Sequence, residues 1–195
     1  MLVILDRHHG WKGDRFDPGA QHGGLREVDL SAAYLGPCGA HLESAGVEVL
    51  HLGSGPYSTR QAGAIAAATA RGIPCVYIAA HVNAGQGRYA AVFHDARSTR
   101  GALIALCIED ALERALPEVS HVKVIGASPK GWTSGAWHTI QRIYDGPSNI
   151  SGICFEPGFI DQPEHAALWT PEGLERIGIA LAEGILGYRA ELDSR

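Results

Sequence analysis

Polar side chains that can bind a metal or carry protons stand at the ends of apolar runs in this sequence. His8 and His9 follow the run in "LVILDRHH", and His81 ends the run "CVYIAAH". Glu156 ends a third run, "SGICFE", and Glu27 opens a segment with helical spacing. Two imidazoles and one carboxylate are the ligand set of an open catalytic zinc site, in which water takes the fourth position. The pattern therefore predicts a site for one zinc ion per chain, and it leaves Glu156 to carry protons.

Each of these residues also has a structural interpretation. A single histidine at the end of a strand is more often a hydrogen-bonded structural residue than a ligand. Glu27 would suit the first turn of a helix even without a metal, because the helix dipole favours an acid there. Glu156 could pair with a buried cation, but a carboxylate at the end of an apolar strand is costly to bury without a function. The occurrence of these groups together favours the functional interpretation.

The elements that must position these residues alternate along the chain. Short apolar runs that predict strands occupy residues 2–6, 47–52, 74–81, 88–94, 121–126 and 151–156. Helical patterns occupy residues 27–45, 59–72, 99–116 and 170–192, and we expect Gly36 and Pro37 to kink or split the first helix. Residues 127–149 read as a loop-rich segment that could include a short helix.

Strands that alternate with helices predict βαβ units. We therefore expect an α/β fold: a single three-layer domain over residues 1–195, with a mainly parallel twisted sheet and helices on both faces. Sites in such sheets form at the carboxyl ends of the strands. His8, His9, His81 and Glu156 should then lie along one edge of the sheet.

Composition excludes several classes of protein. The 195 residues carry a formal net charge of −5 with no basic block, which argues against nucleic acid as a partner. The four cysteines form no C-x-x-C pair, so neither a disulfide framework nor a thiolate zinc site is expected. The apolar start of "MLVILDRHHG" is too short for a signal peptide or a membrane span. We expect a protein that is cytoplasmic as synthesised and that does not associate stably with a membrane.

Four motifs in order resemble a known family. The segments "LDRHHG…DPGA", "LREVDLSAAYL", "YIAAHVNA" and "CFEPGFID" resemble the zinc-dependent N-acetylmuramoyl-L-alanine amidases of the type-3 amidase family. This family includes bacterial cell-wall enzymes and phage endolysins. The resemblance implies that His9, Glu27 and His81 bind zinc and that Glu156 is the catalytic acid/base. It also implies that the substrate is peptidoglycan and that the bond between N-acetylmuramic acid and L-alanine is cleaved.

The sequence departs from the family at one position beside the metal. The family usually has glycine where this chain has His8, so this second imidazole could replace His9 as a ligand or contact the substrate. We also expect Asn83, Trp137 and His138 to contact the substrate. Two other functions stay open: hydrolysis of another peptide or acyl-amino substrate by the same fold, and wall binding without catalysis.

No separate wall-binding domain is apparent in the sequence. We therefore predict a cell-wall lytic enzyme of the endolysin type, which reaches peptidoglycan after phage-mediated release. The sequence pattern makes no prediction about the oligomeric state.

Overall fold

The computed structural model describes residues 1–128 and 135–194, and for residues 135–137 it describes the backbone alone. The strands are β1 (Leu2–Asp6), β2 (Gly10–Lys12), β3 (Arg15–Asp17), β4 (Gln21–His22), β5 (Leu25–Arg26), β6 (Glu48–His51), β7 (Cys75–Ala80), β8 (Ala90–Asp95), β9 (Val122–Ala127) and β10 (Ile150–Glu156). The α-helices are α1 (Glu27–Ser44), α2 (Tyr57–Arg71), α3 (Thr99–Ala115), α4 (Gly135–Tyr144) and α5 (Pro171–Asp193). A 3₁₀ helix spans Pro163–Trp169.

Six of the strands form one sheet in the order β6-β1-β7-β10-β8-β9. Strands β6, β1, β7 and β10 are parallel to one another. Strands β8 and β9 are parallel to each other, but β8 pairs antiparallel with β10. The expectation of an α/β fold with a mainly parallel sheet is confirmed, with one antiparallel step between β10 and β8.

Helices cover both faces of this sheet because its strands are apolar on both faces. The larger core lies under α1, α3 and α5, and it includes Val3, Leu5, Tyr34 and Ile177. The smaller core lies under α2 and α4. Strands β1, β7 and β8 are buried at every residue, as parallel strands between two helical layers should be.

Helix α1 is continuous, so Gly36 and Pro37 do not split it, and the alternative that they kink it stays a prediction. The helix continues past the proline because residues on both sides of it are anchored: Tyr34 and Cys38 are fully buried in the core. Helix α5 also packs directly on this stretch. A Cβ atom at Gly178 would lie 2.3 Å from the carbonyl oxygen of Tyr34, so only glycine permits this approach. Tertiary packing outweighs the local cost of proline here.

The other predicted strands and helices are present, and the structure contains further elements that were not predicted. Helix α5 begins as expected, because the Thr170 side chain accepts a hydrogen bond from the backbone N–H of Gly173. The hairpins β2–β3 and β4–β5 and the 3₁₀ helix were not predicted. No helix among the described residues is long and apolar enough to cross a membrane.

Candidate metal and catalytic centre

The carboxyl ends of β1, β7 and β10 meet at one edge of the sheet because these strands are parallel neighbours. Strand β1 ends at Asp6, two residues before His8, and β7 ends one residue before His81. Glu156 is the last residue of β10, and Glu27 is the first residue of α1. The predicted common edge is therefore present.

Three donor atoms at this edge point to one position. The Nε2 atom of His9 lies 3.3 Å from the Nδ1 atom of His81. The Oε1 atom of Glu27 lies 3.2 Å from His9 Nε2 and 2.8 Å from His81 Nδ1. Ligands about 2.0–2.1 Å from a tetrahedral zinc ion lie roughly 3.3 Å from one another. These three residues therefore fit a zinc ion with little adjustment of their side chains.

Glu27 is held in place by the backbone around it. Its Oε1 atom accepts a hydrogen bond from the N–H of Val82 (3.0 Å), and its Oε2 atom accepts one from the N–H of Ala20 (2.7 Å). A Cβ atom at Gly19, where φ is +70°, would lie only 2.4 Å from Oε2, so the loop can wrap the carboxylate only with glycine here. Burial alone would raise the pKa of Glu27, but hydrogen bonds with His81 and His9 outweigh burial and hold this pKa well below its usual range. The carboxylate is therefore ionised, as a metal ligand must be.

His9 has an acidic partner on its other ring nitrogen. Its Nδ1 atom lies 3.1 Å from Oδ2 of Asp17, which also contacts the ammonium group of Lys12. Burial would lower the pKa of His9, but the neighbouring carboxylates of Glu27 and Asp17 raise it above its usual value. An imidazole that binds zinc through one nitrogen usually donates its other N–H to such a partner. Asp17 was not among the predicted site residues, although its motif "DPGA" was part of the family resemblance.

His8 lies in the same cluster but makes different contacts. Its ring is stacked on Tyr57 at a centroid distance of 4.3 Å and lies 4.4 Å from the ring of His81. Its Nε2 atom is 3.0 Å from Oγ1 of Thr139 in α4. One ring nitrogen from each of His8, His9 and His81 lies within 4.8 Å of the others, so a metal site with three imidazoles is also compatible with the cluster.

Glu156 lies close enough to His81 and Glu27 for their charges to act on it. Its Oε2 atom accepts a hydrogen bond from the side-chain amide of Asn83. Burial raises the pKa of Glu156 to about 7, the charge of His81 acts in the opposite direction, and the charge of Glu27 raises it further. A carboxyl group with a pKa near neutrality can both accept and release a proton at physiological pH.

Asn83 is positioned by the turn that follows Glu156. Its backbone N–H donates to the carbonyl of Gly158 (2.9 Å), and its carbonyl accepts from the N–H of Ile160 (2.8 Å). Asn83 was predicted to contact substrate, and the structure places it against the carboxylate of Glu156.

Trp137 and His138, the other two predicted substrate contacts, lie in the first turn of α4. The side chain of Trp137 lies outside the described residues. His138 is exposed. Substrate contact by these residues stays a prediction.

The fold is that of solved amidase structures. The chain superimposes on the CwlD amidase from Clostridioides difficile, solved in complex with the GerS lipoprotein, with a TM-score of 0.72 and 21% identity, covering 97% of this chain and 98% of CwlD. It is equally similar to the N-acetylmuramyl-L-alanine amidase Ami1 from Mycobacterium smegmatis, with a TM-score of 0.72, 20% identity and coverage of 98% and 97%. Cwp6 from Clostridium difficile gives a TM-score of 0.75 at 19% identity, and here the match covers 95% of this chain but 29% of Cwp6.

No protein-family model and no curated protein sequence matches the chain. The likeness to solved structures therefore concerns three-dimensional architecture at identities of 19% to 21%. The chain has the fold of the N-acetylmuramoyl-L-alanine amidases.

Proposed function

We propose that this protein hydrolyses the amide bond between N-acetylmuramic acid and L-alanine in peptidoglycan, using one zinc ion. The observation that carries the proposal is the meeting of His9 Nε2, His81 Nδ1 and Glu27 Oε1, which lie 2.8–3.3 Å apart. Glu156 beside them supplies a carboxyl group with a pKa of about 7. The amidase fold and the four sequence motifs support the choice of substrate.

His9, Glu27 and His81 would hold the zinc ion. When bound, zinc supplies Lewis acidity for the amide carbonyl and acidifies water to a pKa of about 7. Three protein ligands would leave a bound ion able to take up water or the amide carbonyl.

Glu156 moves the proton in this proposal. As a carboxylate it takes a proton from the attacking water, and as an acid it delivers that proton to the nitrogen of the departing L-alanine. Asn83 keeps the Glu156 carboxyl group in position through its hydrogen bond to Oε2. The net reaction adds one water molecule across the amide bond, which leaves a carboxyl group on the lactyl side of N-acetylmuramic acid and a free amino group on the stem peptide.

Mass spectrometry of the soluble products tests this function. The purified protein is incubated with peptidoglycan after treatment with a chelator, with and without added zinc, and the Glu156→Gln variant serves as the control. We expect stem peptides with a free N-terminal L-alanine from the zinc-loaded protein and none from the other two samples. Zinc-loaded protein that releases no such peptide would contradict the proposed substrate.

A panel of acylated peptides then separates the alternatives. Zinc-dependent cleavage of another amide would indicate a different substrate for the same site, whereas binding to peptidoglycan without cleavage would indicate a wall-binding protein. The endolysin-type role, with synthesis in the cytoplasm and release to the wall, stays a prediction. Expression in a bacterial host would test this role. Delayed lysis when the protein is expressed alone, followed by rapid lysis when a membrane-permeabilising protein is added, would support the endolysin-type role.

A further inference from the structure

The parallel ladder between β7 and β10 leaves the main-chain carbonyl of His81 without its regular donor. The N–H of His81, one residue beyond β7, donates to the carbonyl of Phe155 at 2.9 Å, in register with the ladder. The next bond of a parallel ladder would run from the N–H of residue 157 to the carbonyl of His81. Residue 157 is proline, which has no N–H. Because an unpaired buried carbonyl costs free energy, the His81 carbonyl needs a donor from outside the sheet.

The side chain of Tyr34 in α1 provides this donor. Its hydroxyl donates a hydrogen bond to the His81 carbonyl at 2.9 Å. The tyrosine is fully buried, and its ring packs edge-to-face on the ring of Phe155, with the centroids 5.6 Å apart. Helix α5 lies against the backbone of the same tyrosine at Gly178. The position of the hydroxyl is therefore fixed by packing on β10 and on α5.

Helix α1 also holds the other end of the same peptide group. The N–H of Val82 donates to Oε1 of Glu27 at 3.0 Å. Glu27 and Tyr34 are seven residues apart, a spacing that places both side chains on one face of the helix. The peptide group between His81 and Val82 is therefore bonded to α1 through both its carbonyl and its N–H.

These bonds determine the direction of the His81 imidazole. The backbone of His81 is held before its Cα atom by the bond to Phe155 and after it by the bond from Tyr34. The direction of the Cα–Cβ bond is thereby fixed, and the Nδ1 atom of the ring lies 2.8 Å from Glu27 Oε1, where the proposed metal donors meet. A shift of the carbonyl would turn the imidazole away from this position.

We propose that Tyr34 is a positioning residue for His81: its hydroxyl takes the place of the N–H that Pro157 lacks, and so keeps the imidazole directed at the metal. In the proposed centre Glu27 is itself a ligand, so α1 supplies one ligand and orients another. The inference rests on the metal centre of the proposed function and does not depend on the substrate.

Zinc affinity of Tyr34→Phe, measured by competition with a chromogenic chelator, tests this role without any substrate. Phenylalanine keeps the buried ring and removes only the hydroxyl. We expect zinc to bind about tenfold more weakly, at the lower end of the loss that is typical when an outer partner of a ligand is removed. A hydroxyl with a purely structural role would lower the melting temperature and leave the affinity unchanged, because the metal-free and zinc-bound proteins would lose the same contact.

Pro157→Ala supplies the missing donor from the sheet. Alanine has an N–H that can complete the ladder to the His81 carbonyl. The double variant Tyr34→Phe with Pro157→Ala should therefore recover most of the lost zinc affinity. Pro157→Ala alone should bind zinc as the wild type does, because the Tyr34 hydroxyl is still present.

Tyr188→Phe is the matched control. Tyr188 is also a fully buried tyrosine of the larger core, but it lies in α5, ten residues beyond Gly178 and about 15 Å further along the helix. Its substitution removes a buried hydroxyl of the same kind from a different part of the core. The zinc affinity of this variant should equal that of the wild type.

Three results would overturn the proposal: wild-type zinc affinity in Tyr34→Phe, an equal loss in Tyr188→Phe, or no recovery in the double variant. The second would mean that any loosening of the core weakens the site, and the third that Tyr34 does not act through the His81 carbonyl. A wild-type protein that bound no zinc would contradict the proposed metal centre as well, whereas one that bound zinc but cleaved no peptidoglycan would contradict only the proposed substrate.

Discussion

Glu27 and Glu156 are the same residue type at one edge of one sheet, yet their surroundings shift their pKa values in opposite directions. Glu27 accepts two backbone N–H groups and faces two imidazoles, which hold its pKa well below the usual range. Glu156 accepts the amide of Asn83, and burial raises its pKa to about 7. Glu27 is therefore ionised at neutral pH, whereas Glu156 can change its charge near neutral pH.

The difference suits the two roles that we propose for these glutamates. A metal ligand must stay ionised whatever the pH of the cell, and the loop around Gly19 provides for this by directing the Ala20 N–H at Glu27. A proton carrier must gain and lose its proton easily, and poor solvation of Glu156 provides for that. Four experiments with substitutions at Glu27, Glu156 and Asn83 test this difference.

The largest effect is expected on turnover in Glu156→Gln. Glutamine keeps the size of the side chain but cannot carry the proton, and general acid–base catalysis typically contributes about 10²–10⁴-fold to the rate. We expect kcat to fall by that factor and the zinc content to stay at one ion per chain, as measured by peptide release and elemental analysis. Near-normal turnover in this variant would remove Glu156 from the catalytic role.

Glu27→Gln should act on the metal instead. The amide is a weaker, neutral ligand, and its NH₂ group cannot accept a hydrogen bond, so one of the two backbone N–H groups that point at Glu27 would lose its acceptor. We expect zinc affinity to fall by more than the roughly 100-fold seen when outer partners are lost. Chelator competition measures this loss, and unchanged affinity with low turnover would mean that the roles of the two glutamates are reversed.

Glu156→Gln should also change how the stability of the metal-free protein depends on pH. Folding raises the pKa of Glu156 from 4.5 to about 7, so its stabilising contribution is present below pH 4.5 and is lost as the pH rises through 7. That difference corresponds to about 3 kcal/mol. The variant should exceed the wild type in free energy of unfolding by up to that amount at pH 8 and match it at pH 4.5. Denaturant titration at both values measures it, and equal stability at pH 8 would contradict the raised pKa.

The smallest effect is expected for Asn83→Ala. This change removes the hydrogen bond to Oε2 of Glu156 but leaves the backbone contacts of residue 83 intact. A hydrogen bond to a charged group contributes about 1.5 kcal/mol or more, so kcat should fall about tenfold, with zinc affinity unchanged. A rise in KM alone would instead place Asn83 among the residues that bind substrate.

The local sequence pattern predicts most of the strands and helices, because these elements are determined by apolar spacing and by helix caps such as Thr170. Periodicity contains no direction, however, so the sequence could not predict that β8 runs antiparallel to β10. Pro37 shows the opposite case. A proline disfavours a continuous helix, but the packing of α5 on α1 outweighs this cost, and the residues of α5 lie about 140 positions later in the chain.

The site shows the same difference between local pattern and contacts that are distant in sequence. The meeting of His81, Glu27 and Glu156 at one edge was predictable because each stands at the boundary of an element, whereas only the family resemblance distinguished His9 from His8. The partners of the imidazoles were harder to predict. Thr139 contacts His8 across 131 positions of sequence, and no short motif joins them.

The position of β10 has a consequence for how the protein folds. This strand lies between β7 and β8, so β8 and β9 cannot join the sheet until residues 150–156 have been synthesised. The proposed metal ligands all precede residue 82, whereas Glu156, the proposed proton carrier, belongs to the strand that joins the two parts of the sheet. A chain still on the ribosome would therefore contain the proposed metal ligands well before it contains the proposed proton carrier.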